Sequence, residues 1–291
     1  MRTVGASLLA HQQSGSTTLA WGLKITRTDA AVYGFTSHQR DVTISAVDYL
    51  AGPGLDVASL VSSAGFAVDN TELTMLADDA IITRADILAG RWNYAAFELF
   101  QFNYADTSQG RDVIMAGTLG EVTPQRGAYK VELRGLQQYL QQPVGAVSTK
   151  TCRARLGDAR CRKVLTSFTH TGTVSSVTSN QVFIDNTRTE ADDYFAEGEL
   201  TWTSGDNDGI TVKVKTYASA SDTFTLSVAM TFPIQVGDTY SAVAGCRKRL
   251  DEDCRLKFDN VLNFQAEPHR PTVDAITETP EPNAVFLCMP Q

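Results

Sequence analysis

Four of the chain's five cysteines occur in two short, similar segments whose chemistry is that of a shared ligand site. Cys152 and Cys161 enclose eight residues, RARLGDAR, and Cys246 and Cys254 enclose seven, RKRLDED, with about 80 residues between the two pairs. Thiolates are ligands of structural zinc and of iron–sulfur clusters. We therefore expect the two segments to meet in the fold and the four sulfur atoms to converge on one metal or cluster.

Both segments are also crowded with positive charge, which has a use at such a site. Each has a basic residue directly after its first cysteine, a Leu followed by an acidic residue, and basic residues beside its second cysteine. Because nearby positive charge lowers the pKa of a thiol, this pattern favours the thiolates that a metal requires. Eleven of the chain's 25 cationic residues belong to this group: Lys150, Arg153, Arg155, Arg160, Arg162, Lys163, Arg247, Lys248, Arg249, Arg255 and Lys257.

The spacing of the cysteines does not decide which ligand they bind, or whether they bind one. Zinc fingers and ribbons place two ligands two to four residues apart, and ferredoxin runs place cysteines two residues apart, so neither pattern matches. Loops of seven and eight residues leave room for a larger ligand set, which favours a four-iron cluster over a single zinc ion. Two disulfides, or unlinked buried thiols, would need no metal at all. We expect no ligand role for Cys288 in the C-terminal tail, and His269 is better explained as a structural or surface residue.

The elements that would position these cysteines are mainly strands. Apolar and polar or small residues alternate from Thr18 to Thr28, as in a half-buried strand. A short helix is expected over Ile82–Trp92, with Thr83 as its N-cap and Gly90 near its end. A second short helix is expected over Leu136–Gln142, ended by Pro143. Further strands are expected in the first half over Ala31–Thr36, Asp41–Leu50, Phe97–Tyr104, Asp112–Val122 and Ala128–Gly135.

The second half again shows the two-residue period of strands, separated by loops rich in Asp, Asn, Thr and Gly. Strands are expected over Gly172–Val177, Gln181–Ile184, Ile210–Tyr217 and Phe224–Phe232. The fold class is therefore mainly β, with an N-terminal β domain over 1–148 and a cysteine region over 149–262. That region carries a smaller β sandwich or barrel inserted at about 164–245. Residues 263–291 would form an extended tail.

Composition and motifs exclude several functions. A net charge of −8 argues against a surface that grips nucleic acid as a whole, although a local basic patch remains. No window approaches the ~18 apolar residues of a membrane-spanning helix, and we find no signal peptide, so we expect a soluble protein made in the cytoplasm. The sequence has no GxSxG, GxxxxGK[ST] or HExxH motif, and its four histidines are scattered. We therefore expect no enzyme.

The cysteine segments CRARLGDARC and GCRKRLDEDCRLKFDNVLNFQAEPH resemble those of phage tail-tip (baseplate) hub proteins. This family includes the hub of gene transfer agents and, more distantly, the minor tail protein L of lambda-like phages. The segment ITRADILAGRWNYAAFELFQFNY and the hairpin around TPQRG also look like the first, tail-tube-like domain of these hubs. The resemblance covers most of the chain, leaving out about the last 20 residues.

This resemblance implies a structural virion component at the tail tip. It implies a [4Fe-4S] cluster on Cys152, Cys161, Cys246 and Cys254; the residues by themselves leave zinc as the alternative. It further implies a ring of copies, expected to be a homotrimer, between the distal tail protein and the central fibre or receptor-binding protein, with DNA passing through the lumen. The competing reading is an iron–sulfur or zinc-binding redox or sensor protein that is not part of a virion.

Overall fold

A computed structural model describes residues 4–51, 55–57, 70–76, 81–125, 128–142 and 145–270. The described residues form two β-sheets with a few short helices, so the mainly β prediction is confirmed. No helix in these ranges has the length and apolar character needed to cross a membrane. The predicted stop at Pro143, the turn at 52–54 and the C-terminal tail from 271 onward, including Cys288, lie outside the described residues.

The first sheet has nine strands in the order β3-β4-β2-β1-β7-β8-β9-β6-β5. Its pairs are antiparallel except for β2 and β4, which run parallel. The strands are β1 Leu19–Thr26, β2 Val32–Thr36, β3 Val42–Ile44, β4 Val47–Leu50, β5 Asp56–Val57, β6 Asn70–Leu76, β7 Ala96–Asn103, β8 Arg111–Gln125 and β9 Ala128–Gly135.

Local features of the sequence explain a hairpin turn and a helix start in this half of the chain. The predicted strand over 41–50 is instead the hairpin of β3 and β4, because Ser45 and Ala46 both adopt positive φ, as a tight hairpin turn requires. The predicted helix is α2, Arg84–Leu88, and its N-cap Thr83 accepts a hydrogen bond from the backbone N–H of Asp86. Two further helices are α1, Ala6–Gln12, which the sequence did not predict, and α3, Gln137–Leu140. A 3-10 turn spans Thr107–Gln109.

The second sheet has seven strands in the order β10-β16-β13-β14-β15-β12-β11. The two edge strands β10 and β11 are consecutive in the chain and only two residues apart, so the sheet must curl until its edges approach each other. This curled sheet lies between the two cysteine pairs in the sequence. The strands are β10 Thr169–Thr173, β11 Ser176–Ser179, β12 Val182–Ile184, β13 Glu199–Trp202, β14 Thr211–Ala218, β15 Thr223–Leu226 and β16 Thr239–Val243.

Two strand predictions in this half need correction, and two strands were missed. The run predicted over 172–177 is divided between the two sheet edges, because β10 pairs with β16 whereas β11 pairs with β12. The run predicted from Phe224 to Phe232 ends as a strand at Leu226. Beyond it the backbone makes separate hydrogen bonds, from the N–H of Ser227 to the carbonyl of Lys213 and from the N–H of Met230 to the carbonyl of Asn180. Strands β13 and β16 were not predicted, because their alternating patterns extend over only four and five residues.

Each sheet has its own core. In the first, Leu23, Phe97 and Leu133 pack with Trp92, and Phe35 closes the same cluster. The core of the second sheet is dominated by aromatic side chains: Phe183, Phe195, Trp202, Tyr217, Phe224 and Tyr240.

The segments outside the sheets carry the cysteines. Residues 145–165 follow the first sheet without regular structure, and a 3-10 turn, Thr166–Phe168, leads into β10. After β16 the chain forms a π-helix, Leu250–Lys257, and a 3-10 turn, Val261–Asn263. The sequence predicted neither of these last two elements. Both cysteine segments therefore lie at the two ends of the inserted sheet, whose first and last strands, β10 and β16, pair directly.

Candidate metal or cluster site

All four predicted cysteines line one small cavity between the two segments. The cavity has a volume of about 20 Å³, and its remaining walls are mainly apolar, including Ala154, Leu156, Phe258 and Phe264. Cys161 is buried and the other three are partly buried. None of the four forms a disulfide in this structure. The expectation that the two segments meet is therefore met, although they are separated by the whole second sheet.

Backbone hydrogen bonds hold the two segments side by side. The N–H of Cys152 donates to the carbonyl of Lys248, at 2.9 Å, and so joins the first segment directly to the second. The next N–H, that of Arg153, donates to the carbonyl of Gln265, and the N–H of Glu267 donates to the carbonyl of Thr149. Three stretches of chain therefore meet at Cys152.

Asn260 joins Cys161 of the first segment to Cys254 of the second. Its side-chain amide donates to the carbonyl of Cys161 at 2.7 Å and also lies 3.4 Å from the Cys161 sulfur. Its own carbonyl accepts from the thiol of Cys254, and its N–H donates to the carbonyl of that residue. Asn263 orients the amide by donating to its oxygen at 2.8 Å. A buried asparagine thus fixes one cysteine from each segment.

The acidic residue within each segment shapes its loop. Asp158 accepts hydrogen bonds from the backbone N–H groups of Arg155, Arg160 and Cys161, and these bonds, chiefly the last, lower the pKa of its carboxyl. The buried Asp253 accepts from the N–H of Arg249 in the same manner. These carboxylates satisfy backbone donors that the irregular loops leave without partners. The similarity between the two sequences therefore has a structural cause.

Three of the cysteine side chains also receive N–H donors. The backbone N–H of Gln265 points at the sulfur of Cys152, at 3.4 Å, and the amide of Asn260 points at that of Cys161. A backbone hydrogen bond from Lys248 acts on Cys246. Donors of this kind stabilise negative charge on sulfur, and they are among the factors that tune thiolate-bound clusters.

The pKa values of two of the thiols, those of Cys246 and Cys254, are raised above the ordinary value of a cysteine, contrary to the expectation from the basic residues. Burial, and then the negative charges of the three neighbouring thiols, raise the pKa of Cys254 to about 11. Burial also raises the pKa of Cys246, with Cys152 and Cys161 contributing. All four cysteines line the same cavity, so negative charges on their sulfurs repel one another. Bringing them to the thiolate form together requires a compensating positive charge.

The basic residues do not supply that charge, because most of them are paired with carboxylates. Arg153 bonds Glu267 at 2.8 Å, and Arg247 bonds Asp193 at 3.1 Å. The other arginine pairs are Arg155–Glu199, Arg160–Asp158, Arg249–Glu252 and Arg255–Asp251. Burial is the largest cause of the raised pKa values, and it explains why the prediction of lowered thiol pKa values was wrong for Cys246 and Cys254.

Lys257 ties the π-helix to the second sheet. Its ammonium donates to the carbonyls of Tyr194 and Gly245 at 2.6 and 2.8 Å and lies 4.5 Å from the centre of the Tyr194 ring. Burial lowers its pKa, whereas the charges of Asp253 and Cys246 act in the opposite direction. This lysine fixes the position of the helix that carries Cys254.

The chemistry of the donor set fits a ligand that binds four thiolates. The cavity offers four cysteines, apolar walls and N–H donors to sulfur, as iron–sulfur sites do. In the described residues, however, no three His, Cys, Asp or Glu side chains are arranged closely enough to hold a single metal ion. The histidines are elsewhere: His11 contacts Thr18, His170 contacts Glu190, and His269 is exposed, as expected. Assignment of a metal or cluster to the four cysteines therefore remains a proposal.

Sequence reasoning found the cysteines but missed the residues that hold them. Asn260 and Gln265 were not singled out, although both lie in the continuation of the second cysteine segment, and Lys257 was counted only among the basic residues of that segment. Asp158 and Asp253 were noticed only as part of the shared pattern. The one signal that could have identified them is that both segments place an acidic residue shortly before the second cysteine.

Comparisons with known proteins agree with the fold and the arrangement of the two segments. The family model "Baseplate hub protein, N-terminal attachment domain" matches residues 5–164, more than half of the chain. The model "Phage conserved hypothetical protein BR0599" matches residues 193–274, which include the second cysteine pair. No curated protein matches the chain significantly.

A solved structure extends this likeness over nearly the whole molecule. A chain of the structure described as "Virion of native gene transfer agent (GTA) particle" is 35% identical, with a TM-score of 0.86. The match covers 95% of this chain and 96% of that one. The present chain belongs to the baseplate hub protein family, and the resemblance stated from its sequence is confirmed.

Proposed function

We propose that the protein is a structural hub subunit at the distal tip of a siphovirus-like tail. In this role it joins the tail tube and distal tail protein to the central fibre or receptor-binding protein. Support comes from its family and from its likeness, over both sheets, to a chain of a gene transfer agent virion. The proposed role is one of protein assembly in the virion, built in the host cytoplasm, and not catalysis.

The proposal includes a [4Fe-4S] cluster bound by Cys152, Cys161, Cys246 and Cys254. The observation that carries it is the convergence of all four cysteines on one cavity from two segments that flank the second sheet. Such a cluster would cross-link the two ends of the inserted sheet and supply the positive charge that ionises the thiols. The residues of the chain orient the four sulfurs, exclude water with apolar walls and donate N–H groups to them.

The first experiment is an analysis of iron, zinc and acid-labile sulfide in protein purified without oxygen. We expect about four irons and about four sulfides per chain, with visible absorption that disappears on oxidation. Stoichiometric zinc without sulfide would show that the four cysteines bind zinc, the alternative ligand, and not a cluster. Protein free of both, with unchanged stability after treatment with a chelator, would contradict the metal site altogether.

Substitution of the ligands tests whether the site is structural. Cys161→Ser and Cys246→Ser should each lose iron and sulfide and should give defective tails when they replace the native chain in assembly. Cys288→Ser is the matched control, because this residue lies apart from both segments, and it should retain the cluster. Normal particles from both ligand variants would show that the fold does not need a cluster.

The proposed assembly is a closed ring of identical copies, expected to be three, around a lumen through which DNA passes without specific binding. An acidic chain suits such a lumen, because negative walls repel phosphates. Electron microscopy of particles carrying a labelled copy should place it in a ring at the tail tip. A redox or sensor role would instead place the protein outside the particle and require its cluster to exchange electrons with a partner at measurable rates.

A further inference from the structure

A second concave site lies beside the cysteine cavity and has a different chemistry. It is a groove of about 530 Å³ between strand β14 and the start of the second cysteine segment. Its cationic walls are formed by Lys213, Lys215, Arg247, Lys248 and Arg249. Its acidic residues are Asp193 and Glu197, so the lining side chains carry a net charge of +3 in a chain whose total is −8.

Part of this positive charge has no counter-charge within the described residues. Arg247 is paired with Asp193, and Lys213 reaches Glu197 only at 3.9 Å. For Lys215 and Lys248 the described part of the chain provides no ion pair. Charges of one sign in a concave site focus the electrostatic potential and attract ligands of the opposite sign. The groove is therefore suited to an acidic segment.

The chain itself contains an acidic segment tethered close to the groove. Residues 271–291, which follow the described part, contain Asp274, Glu278 and Glu281 and no Lys or Arg. The position of the tether is fixed by Cys152, which bonds both Lys248 of the groove and Gln265 of the segment that leads to the tail. We propose that residues 271–283 of the same chain dock in this groove through their carboxylates.

Length and tethering support this occupant. Extended chain spans up to ~3.3 Å per residue, so the residues from Glu267 to Asp274 can reach over roughly 20 Å. Three carboxylates on a short tether act at an effective concentration in the millimolar range, which compensates for weak individual ion pairs. The groove and the cysteine cavity share Cys246, Lys248 and Arg249, whereas Lys213 and Lys215 line the groove and are not among the residues that line the cavity. The substitutions that test the groove are therefore made at Lys213 and Lys215.

A nucleic acid is the less favoured occupant. Phosphates form an uninterrupted row of negative charge, and the groove interrupts its cations with Asp193 and Glu197. A segment with separated carboxylates avoids these two positions.

The test compares the wild-type chain with the full-length variant Asp274→Asn, Glu278→Gln and Glu281→Gln. Amine acetylation by a water-soluble reagent, followed by mass spectrometry, reports the accessibility of Lys213, Lys215 and Lys248. We expect these three lysines to react several-fold faster in the variant, and Lys24 of the first sheet to react equally in both. Equal rates at the groove lysines would overturn the proposal.

A second measurement uses the synthetic peptide of residues 271–283 with a fluorescent label. The peptide should bind the neutralised full-length variant at least about tenfold more tightly than it binds wild type, because the tail of the wild-type chain competes for the groove. The neutralised variant should lose this binding when Lys213→Glu and Lys215→Glu are added. The pair Lys24→Glu and Arg40→Glu on the first sheet is the matched control. If protection of the groove lysines from acetylation rises with protein concentration, the occupant is the tail of a neighbouring copy. If a DNA oligonucleotide binds more strongly than the peptide, the occupant is nucleic acid. Either result would refute docking in the same chain.

Discussion

The core of the second sheet and the cysteine site adjoin each other but are stabilised in different ways. In the core, Phe224 lies 4.8–5.5 Å from the ring centres of Tyr217, Phe183, Phe195 and Tyr240. At the cysteine site the buried side chains include a carboxylate, Asp253, and an amide, Asn260. The sheet is therefore stabilised by apolar burial, whereas the cysteine site depends on polar contacts and on whatever its thiols bind.

This difference affects how each region reaches its folded state. A sheet with its own aromatic core can fold without a ligand, since burial of large rings supplies most of the driving force. The cysteine site, with a small cavity and mutually repelling thiols, gains its order from hydrogen bonds and, under the proposal, from the cluster. Substitutions in the two regions should therefore separate global stability from the local order of the site.

The largest effect is expected in the aromatic core. Phe224→Ala removes a ring that contacts four others and should lower the free energy of unfolding by about 3–5 kcal/mol. Urea denaturation of the two chains measures this loss. Val228→Ala, at an exposed position just beyond β15, is the control and should change stability by no more than about 0.5 kcal/mol. A similar loss in both variants would mean that the aromatic cluster does not dominate this sheet.

A smaller and more local effect is expected at Asn260. Asn260→Ala leaves the carbonyl of Cys161 without its donor and should cost about 1–3 kcal/mol. Because this bond joins the two cysteine segments, hydrogen exchange should accelerate in 150–165 and 246–264 and remain unchanged in β13 and β14. Asn263→Ala removes only the bond that orients the amide and should have a weaker effect. Uniform acceleration over the sheet would show that the two regions unfold as one.

The aromatic core also contains a buried polar contact, and its contribution to the stability of the second sheet can be measured. Tyr240 donates a hydrogen bond of 2.6 Å to the fully buried Asp185, which also accepts from Thr187. Tyr240→Phe should cost about 1.5–3 kcal/mol, because the bond ends on a charged group. Tyr217→Phe is the matched control, since its hydroxyl is 3.4 Å from Asp222 and should contribute less. Equal losses of stability in the two variants would show that the hydrogen bond to Asp185 contributes no more than the one to Asp222.

The same carboxylate predicts a pH dependence. Burial opposes ionisation of Asp185, but the hydrogen bonds from Thr187 and Tyr240 outweigh it and lower the pKa of the carboxyl below its ordinary value of 3.8. A lowered pKa in the folded state stabilises the fold above pH 3.8, and this contribution is lost as the pH falls further. Unfolding measured between pH 6 and pH 2 should show a shallower acid loss in Asp185→Asn. An unchanged acid dependence would assign the effect to other carboxylates.

The sequence predicted the strands with clear alternation and the helix capped by Thr83, because these depend on local patterns. It could not predict the turn at Ser45 and Ala46, whose residues do not ordinarily favour positive φ. It missed β13 and β16 because their alternating patterns extend over only four and five residues. At the site, the four cysteines were found by spacing alone. The role of Asn260 depends on contacts across 99 residues of sequence, which no local pattern reveals.

The smallest effect is expected for the exposed charges of the cysteine segments. Arg249 and Glu252 form an ion pair at 2.8 Å, but both side chains are more than half exposed. Solvent screening limits such a pair to a few tenths of a kcal/mol, so Glu252→Gln should leave both unfolding and iron content unchanged within error. The basic residues would then be solvated partners of nearby carboxylates and not regulators of the thiols. A marked change in iron content would instead show that freeing one arginine alters the cysteines, which would make the surface charge part of the site.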